Sequence, residues 1–323
     1  MRWEKVLVTG GRGRLGRYVV EELDGECHVS VLDRPGQGLP PIDFSVDVLD
    51  LEGLSVAMRG QDAIIHLAGI DASVSASPEL VFDTNVRGTW NVLNAAYNAG
   101  VRKVVICTSV SALGLDYTNP HLRPLYLPID EAHPLRPSQA YGLSKQLGES
   151  IAQSFASRGR MDVICLRPAW VMFPDTVRKV VAEGWLSGAR GAMSSDDTGR
   201  HREPLPVLRS YVGPEDAARC FRLALELSGT PYDVFLVTAE DTFEAEATLV
   251  HLERAYGSLP DVRKPELYLR NPRSSAYDIS HAREILGWTP RSKWADLTAE
   301  IAEVEATRTE ASRPVRDPPS GRA

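Results

Sequence analysis

The chain has 323 residues, 43% of them hydrophobic and 24% charged, with a formal net charge of −7. Such a composition belongs to an ordinary folded protein, needs no disulfide or metal staple, and speaks against the clustered basic surface of a nucleic-acid binder. No run approaches the roughly 18 apolar residues of a membrane span, and the start MRWEKVLVTG lacks the apolar stretch of a secretory signal, so a cytoplasmic protein without membrane contact is expected.

In chain order, KVLVT (5–9), HVSVL (28–32), AIIHLA (63–68), KVVICTS (103–109) and DVICLRP (162–168) are short Val- and Ile-rich runs bounded by Gly, Asp or Pro. They predict strands buried on both faces. Between them, 14–24, 78–98 and 138–158 carry apolar residues at helical spacing, and in the second Leu80, Val81, Val86, Trp90, Val92, Leu93 and Ala96 form one stripe. Strands alternating with helices predict right-handed crossovers and an α/β fold, a doubly wound Rossmann parallel sheet. After about residue 170 the rhythm loosens. Segment 187–210 reads as a long polar loop, followed by a helix near 214–228, the strand YDVFLVT, a helix near 244–256 and a last helix at 280–286 ended by Gly287. The chain therefore divides into 1–170, a smaller C-terminal region at 171–305 that returns strands and helices to the core, and a disordered tail at 306–323 with almost nothing apolar to bury. Cys27, Cys107, Cys165 and Cys220 show no Cys-x-x-Cys spacing and read as reduced thiols; His121, His133 and His201 stand in polar loops, solvent-facing, and no metal site is expected.

Directly after the first strand comes TGGRGRLG, with Gly10, Gly13 and Gly16 ahead of a helix. Glycines there let the chain turn sharply and let a pyrophosphate approach the free N–H groups of a helix N-terminus. Asp33 closes the second strand, 20 residues past Gly13. A carboxylate at that place accepts hydrogen bonds from both ribose hydroxyls of NAD and repels a 2′-phosphate, so NAD is the expected cofactor. Arg12, Arg14 and Arg34 lie close by and keep NADP open. Further on, AYGLSK places Tyr141 and Lys145 four apart, on one face of a helix.

These features, with the Asp47-Val48 pair, HLAG at 66–69, NVRGTWNVL at 85–93, TSVSALG at 108–114, LRP at 166–168, RSYVGPEDAA at 209–218 and LGWTP at 286–290, resemble the extended short-chain dehydrogenase/reductases, specifically the NAD-dependent epimerase/dehydratase group. The resemblance runs from about residue 5 to 290. It implies that Gly10, Gly13, Arg14, Leu15 and Gly16 turn around the dinucleotide, with Asp33 and Arg34 at its ribose. Asp47 and Val48 would flank adenine, Leu67, Ala68 and Gly69 line the cofactor, and Asn85 hold the strand ends near the nicotinamide.

Tyr141 would act as general base on a secondary alcohol while hydride leaves the same carbon. A phenol titrates near 10 when unperturbed, and the ammonium of Lys145 together with an oxidised nicotinamide would pull that value down. Lys145 would also bind the nicotinamide ribose. Counting back from Gly114, the resemblance gives Ser109 as the group that orients the substrate hydroxyl, with Ser111 near enough to share the role.

Within this group the outcome is oxidation, epimerisation or dehydration. Dehydratases carry an Asp-Glu pair after the catalytic hydroxyl, where this chain has Val110 and Ser111, so dehydration is disfavoured. Nucleotide-sugar epimerases follow the LRP with Asn and then Tyr-Gly-Pro; here Trp170, Met172 and Phe173 stand instead. Arg209 matches a phosphate-contacting arginine, and Arg270 or Arg273 can stand in for a second. The leading expectation is an NAD-dependent dehydrogenase of a sugar, sugar acid or polyol, with uronate dehydrogenases as the nearest analogy. A nucleotide-sugar 4-epimerase is the runner-up, an NADP-dependent ketone reductase the third, and a non-enzymatic NAD(P)-binding scaffold the last. The family's habit of pairing two helices implies a homodimer through 78–98 and 138–158.

Overall fold

The computed structural model describes residues 2–35, 42–72, 74–115, 122–182, 206–243 and 245–311. Its first half runs β1 Lys5–Thr9, α1 Arg14–Glu22, β2 His28–Asp33, β3 Phe44–Ser45, α2 Leu51–Ala57, β4 Ala63–His66, α3 Pro78–Phe82, a π-helical turn Asp83–Arg87, α4 Gly88–Ala99 and β5 Lys103–Cys107. A 3-10 turn Val110–Leu113 follows, then β6 Tyr126–Leu127, α5 Ala140–Ala156, β7 Asp162–Pro168, β8 Trp170–Val171 and α6 Pro174–Ala182. The remainder is β9 Tyr211–Val212, α7 Pro214–Glu226, β10 Tyr232–Val237, α8 Thr248–Tyr256, β11 Asp261–Val262, α9 Pro265–Arg270, α10 Ser280–Leu286 and α11 Trp294–Ala311.

Seven strands form one sheet in the order β10-β7-β5-β4-β1-β2-β3, and every pairing in it is parallel. The absence of polar alternation in the strands follows from two cores. Val6 and Val8 of β1 face one side with Ile65, Val105 and Ile164, under Val19 of α1 and Phe221 of α7. Leu7, between them in sequence, faces the other side with Ile64, Val104 and Val163, under Leu54 of α2, Val92 of α4 and Phe155 of α5. Successive residues point to opposite faces, so both parities must be apolar. Each fully buried aliphatic side chain contributes about 1.5–3 kcal/mol to that arrangement. Since β1 has β4 on one side and β2 on the other, strand order reverses at its carboxyl end, where open α/β sheets leave a crevice.

Two of the motifs quoted above turn out to meet. Asp216, in the first turn of α7, accepts from Arg291 N at 2.9 and 2.8 Å and from Ser292 N at 2.9 Å, while Trp288 Nε1 donates to the Asp216 carbonyl at 2.9 Å. RSYVGPEDAA and LGWTP are thus one joint that locks the C-terminal segment on the sheet.

Several expectations are corrected. The helix read as 78–98 is three consecutive pieces, Pro78–Phe82, the π turn and Gly88–Ala99. Part of the tail expected from 306 is helical, since α11 runs to Ala311, its start anchored by Trp294, Leu297 and Ile301 packed with Met172, Val177 and Val180. Those three apolar residues at helical spacing were the available signal. His133 is not solvent-facing: it is 1% exposed, its Nε2 accepts from Leu125 N at 3.1 Å, and its ring lies 5.2 Å from that of Tyr126. The pairing of β6 with β11 folds that loop over it. His121, His201 and most of the 187–210 loop lie outside the described residues. Among the described residues no helix is long and apolar enough to cross a membrane, and no group of three or more His, Cys, Asp or Glu could hold a metal.

Candidate active site

At the end of β1 the chain turns through Gly10 at φ +72°, a left-handed conformation that glycine adopts without strain. A Cβ there would lie 2.7 Å from Ala68 N, and one on Gly16 would lie 2.2 Å from Gly10 O. The turn therefore rests directly on the end of β4, and α1 starts directly on the turn. The crevice this opens is lined by Gly10, Gly13, Asp33, Arg34, Val48 and the 67–70 segment. The Asp33 carboxylate is fixed at its rim, with Oδ2 accepting from Arg12 N at 3.0 Å and Oδ1 from Arg34 N at 2.8 Å. Glycines that let backbone approach, a helix N-terminus and an acid at the end of β2 fit a dinucleotide with an unmodified ribose.

Some of the residues expected there turn their side chains elsewhere. Arg14 turns away from the crevice to the start of α6, where it pairs with Asp175, donates to Thr176 Oγ1 at 3.1 Å and lies over the Phe173 ring at 4.1 Å. Leu15 packs against the sheet core. Asp47 directs Oδ1 to Leu49 N at 2.9 Å, capping its own turn, while Val48 lines the crevice.

The other end of the crevice is built on α5. Lys145 Nζ donates to Cys107 O at the end of β5 at 3.0 Å and stands 5.5 Å from the Tyr141 ring centroid. Ser109, in extended conformation ahead of the 3-10 turn, accepts from Ser111 N at 3.0 Å and stands close enough to the Tyr141 phenol to lower its pKa. Ser111 itself is only half-buried. The π turn has a visible result: it brings Asn85 inward, where Oδ1 accepts from Ile70 N at 2.8 Å and Nδ2 donates to Ile70 O at 2.9 Å and Ser144 Oγ at 3.0 Å. Ser144 in turn donates to Tyr141 O at 2.7 Å. One asparagine thus ties the end of β4 to the helix carrying Tyr141 and Lys145.

One expectation about charge is corrected in its lysine part. Burial pushes the Tyr141 phenol above its ordinary value, Cys107 adds to the rise, and only the Ser109 hydrogen bond opposes it; Lys145 is not what sets it. Burial likewise lowers Lys145. A phenol in this pocket is a poor base until a further positive charge arrives.

Sequence reasoning missed His66, which is 2% exposed beneath the site. Thr89 Oγ1 donates to Asn85 O at 2.6 Å, so it must accept from His66 Nε2 at 3.1 Å, leaving Nδ1 as acceptor of the Thr9 hydroxyl at 2.7 Å. The ring is held neutral, and burial lowers its pKa to about 3; His251 is lowered to about 4, also by burial first. The unfolded chain binds protons at these imidazoles below about pH 6.5 and the folded chain does not, so stability present above that pH is lost as pH falls towards 4. Urea midpoints measured from pH 7 to 4 should decline, and less steeply in His66→Gln; a flat profile would refute this account.

On the substrate side, Trp170 is half-buried against the Phe243 ring at 5.9 Å, and Met172 is fully buried. Arg209 is 6% exposed, at φ +57°, with its guanidinium 5.6 Å from the Phe243 ring. Arg273 donates to Thr242 O at 3.0 Å, and Arg270 is exposed at the end of α9.

Cofactor crevice and tyrosine–lysine helix meet at the carboxyl edge of one parallel sheet, which is the layout of a Rossmann enzyme of the extended short-chain dehydrogenase/reductase type. The chain belongs to the NAD dependent epimerase/dehydratase family, whose model matches residues 6–237. It is similar to L-arabinose 1-dehydrogenase (NAD(P)(+)) of Haloferax volcanii, 28% identical over 79% of this chain and 96% of that one. It is also similar to UDP-glucose 4-epimerase of Streptococcus mutans, 26% identical over 88% of this chain and 92% of that one. A short-chain dehydrogenase/reductase superfamily protein from Agrobacterium tumefaciens, solved with bound NAD, shares the fold at TM-score 0.68, with 23% identity over 96% of this chain and 100% of that one. The chain is thus an enzyme of an NAD-dependent family.

Proposed function

We propose that this enzyme oxidises a secondary alcohol of a small sugar, sugar acid or polyol with NAD, releasing NADH. The observation that carries the reading is the meeting of Ser109, Tyr141 and Lys145 at the end of the crevice. Ser109 orients the substrate hydroxyl and Tyr141 takes its proton at the phenol oxygen. Lys145, fixed by the Cys107 carbonyl, binds the cofactor ribose. NAD, held by the Gly10–Gly16 turn and Asp33, supplies the hydride acceptor and, when oxidised, the extra positive charge that the buried phenol needs. In this reading residues 1–170 hold the cofactor, and 171–305 mainly form the substrate wall, with Trp170 and Arg209 at its inner side.

A nucleotide-sugar epimerase is the second reading, favoured by the epimerase relative and by buried Arg209. Incubating the enzyme and NAD with free sugars and with nucleotide sugars separates the two. Net NADH from a free sugar supports the dehydrogenase; interconversion of a nucleotide sugar without net NADH, with cofactor retained through purification, overturns it.

A homodimer through α4 and α5 also belongs to this reading, because Trp90 and Leu143 on those helices stay 44% and 39% exposed. Sedimentation should show a dimer that Trp90→Asp converts to monomer. A monomer at every concentration of the unaltered chain would exclude it.

A further inference from the structure

Tyr141 and Lys145 stand on the part of α5 that has no fully buried apolar side chain. Between Ala140 and Glu149 the buried positions are Gly142, Ser144, Gly148 and Glu149, whereas the apolar anchors Ala152, Phe155 and Ala156 all come later. Behind the reactive turns lies a small cavity lined in part by Asn85, Ser144, Lys145 and Gly148, and a Cβ on Gly148 would meet nothing within 4 Å. Apolar burial is non-directional and here it is sparse, so it cannot set how deep these turns sit or how they are rotated. That falls to directional polar contacts.

Ser144 joins Asn85, and Lys145 donates to Cys107 O. The third contact is made by Glu149, one turn beyond Lys145 on the same side of the helix. Its two carboxylate oxygens accept from Arg167 Nε and Nη2, both at 2.8 Å, and both residues are only 4% exposed. Arg167 stands near the end of β7, and its Nη1 donates to Glu131 O at 3.3 Å, while Glu131 Oε1 accepts from Leu236 N of β10 at 2.8 Å. One guanidinium therefore clamps α5 to the sheet and to the segment that leads into the helix. Such a pair is a poor source of stability, because the desolvation of two charges offsets their attraction and apolar residues of similar volume often serve as well or better. A two-pronged guanidinium–carboxylate contact does fix distance and angle together.

We propose that Glu149 and Arg167 are positioning residues, whose fork sets the depth and rotation of the reactive turns of α5 and so the place at which the Tyr141 phenol meets the substrate. The proposal rests on the reading in which Tyr141 takes the proton, and deepens it.

The test uses the full chain with NAD and the free sugars of the assay above. It compares the unaltered enzyme with the uncharged double variant Glu149→Gln/Arg167→Met and with Arg167→Lys, which keeps the charge and loses the fork. A misplacement of about 1 Å at a reacting centre costs about 100-fold, so kcat of the double variant should fall by about that factor, with KM and NAD affinity within about threefold. Circular dichroism and Tm should report an intact fold. Arg167→Lys should lower kcat by about tenfold and leave KM unmoved. A folded double variant with kcat within about threefold of the unaltered enzyme overturns the proposal, as does full activity in Arg167→Lys. Failure of the double variant to fold overturns it too, since the pair would then serve stability. Tyr141→Phe assayed alongside keeps the two questions apart. Lost turnover there beside an unaffected double variant leaves the proton-transfer reading standing, whereas full turnover in the phenylalanine variant overturns that reading and this proposal with it.

Discussion

Tyr141→Phe is expected to lower kcat/KM by about 10³-fold, within the span a positioned acid–base group supplies, and to leave NAD affinity nearly unchanged. Only the phenol oxygen is removed, and its partner in the structure is Ser109, not a crevice residue. The pH profile carries a second signature. Burial holds the phenol above its ordinary value, so at neutral pH its base form is scarce and oxidation should accelerate as pH rises. Reduction of the matching ketone needs the protonated phenol, which is nearly fully populated over the same range, and should change little with pH. Turnover by the phenylalanine variant within tenfold of the unaltered enzyme would remove Tyr141 from the mechanism.

Gly16→Ala sets two effects against each other. Alanine in a helix is better than glycine by about 1 kcal/mol, so α1 alone would gain. Against this, the new methyl would stand 2.2 Å from Gly10 O and 2.7 Å from Gly11 Cα, both backbone. No rotamer relieves that contact, and overpacking of this kind costs about 1–3 kcal/mol when the backbone can shift. The clash wins, and the shift it forces displaces the turn on which the cofactor phosphates would rest. Calorimetry should find NAD affinity weakened by about tenfold or more, with a lower Tm. Unchanged affinity would mean that the turn does not hold the cofactor.

The central strands were legible because burial on both faces leaves an unmistakable apolar run, as in KVLVT and DVICLRP. The glycine turn and Asp33 were legible for a different reason: a sharp strand-to-helix turn restricts residue type locally. What escaped was set by contacts distant in sequence. The two-residue strands Tyr126–Leu127 and Asp261–Val262 exist only through each other. His133 reads as a polar loop residue until that pairing covers it. Nothing in NVRGTWNVL announces a π turn, yet that turn aims Asn85. The weight of burial on Tyr141 was missed because i, i+4 spacing conveys nearness to a lysine and says nothing about the water both lose.

The clasp between Arg14 and the start of α6 bears on how often the enzyme can reload. It bridges the glycine turn and the start of α6, but both of its charged side chains are more than half exposed, and such surface pairs contribute only about 0–1 kcal/mol. A latch that weak opens on thermal motion alone. Spent coenzyme would not be imprisoned by it, as the proposed dehydrogenase, which discharges a reduced molecule every cycle, requires.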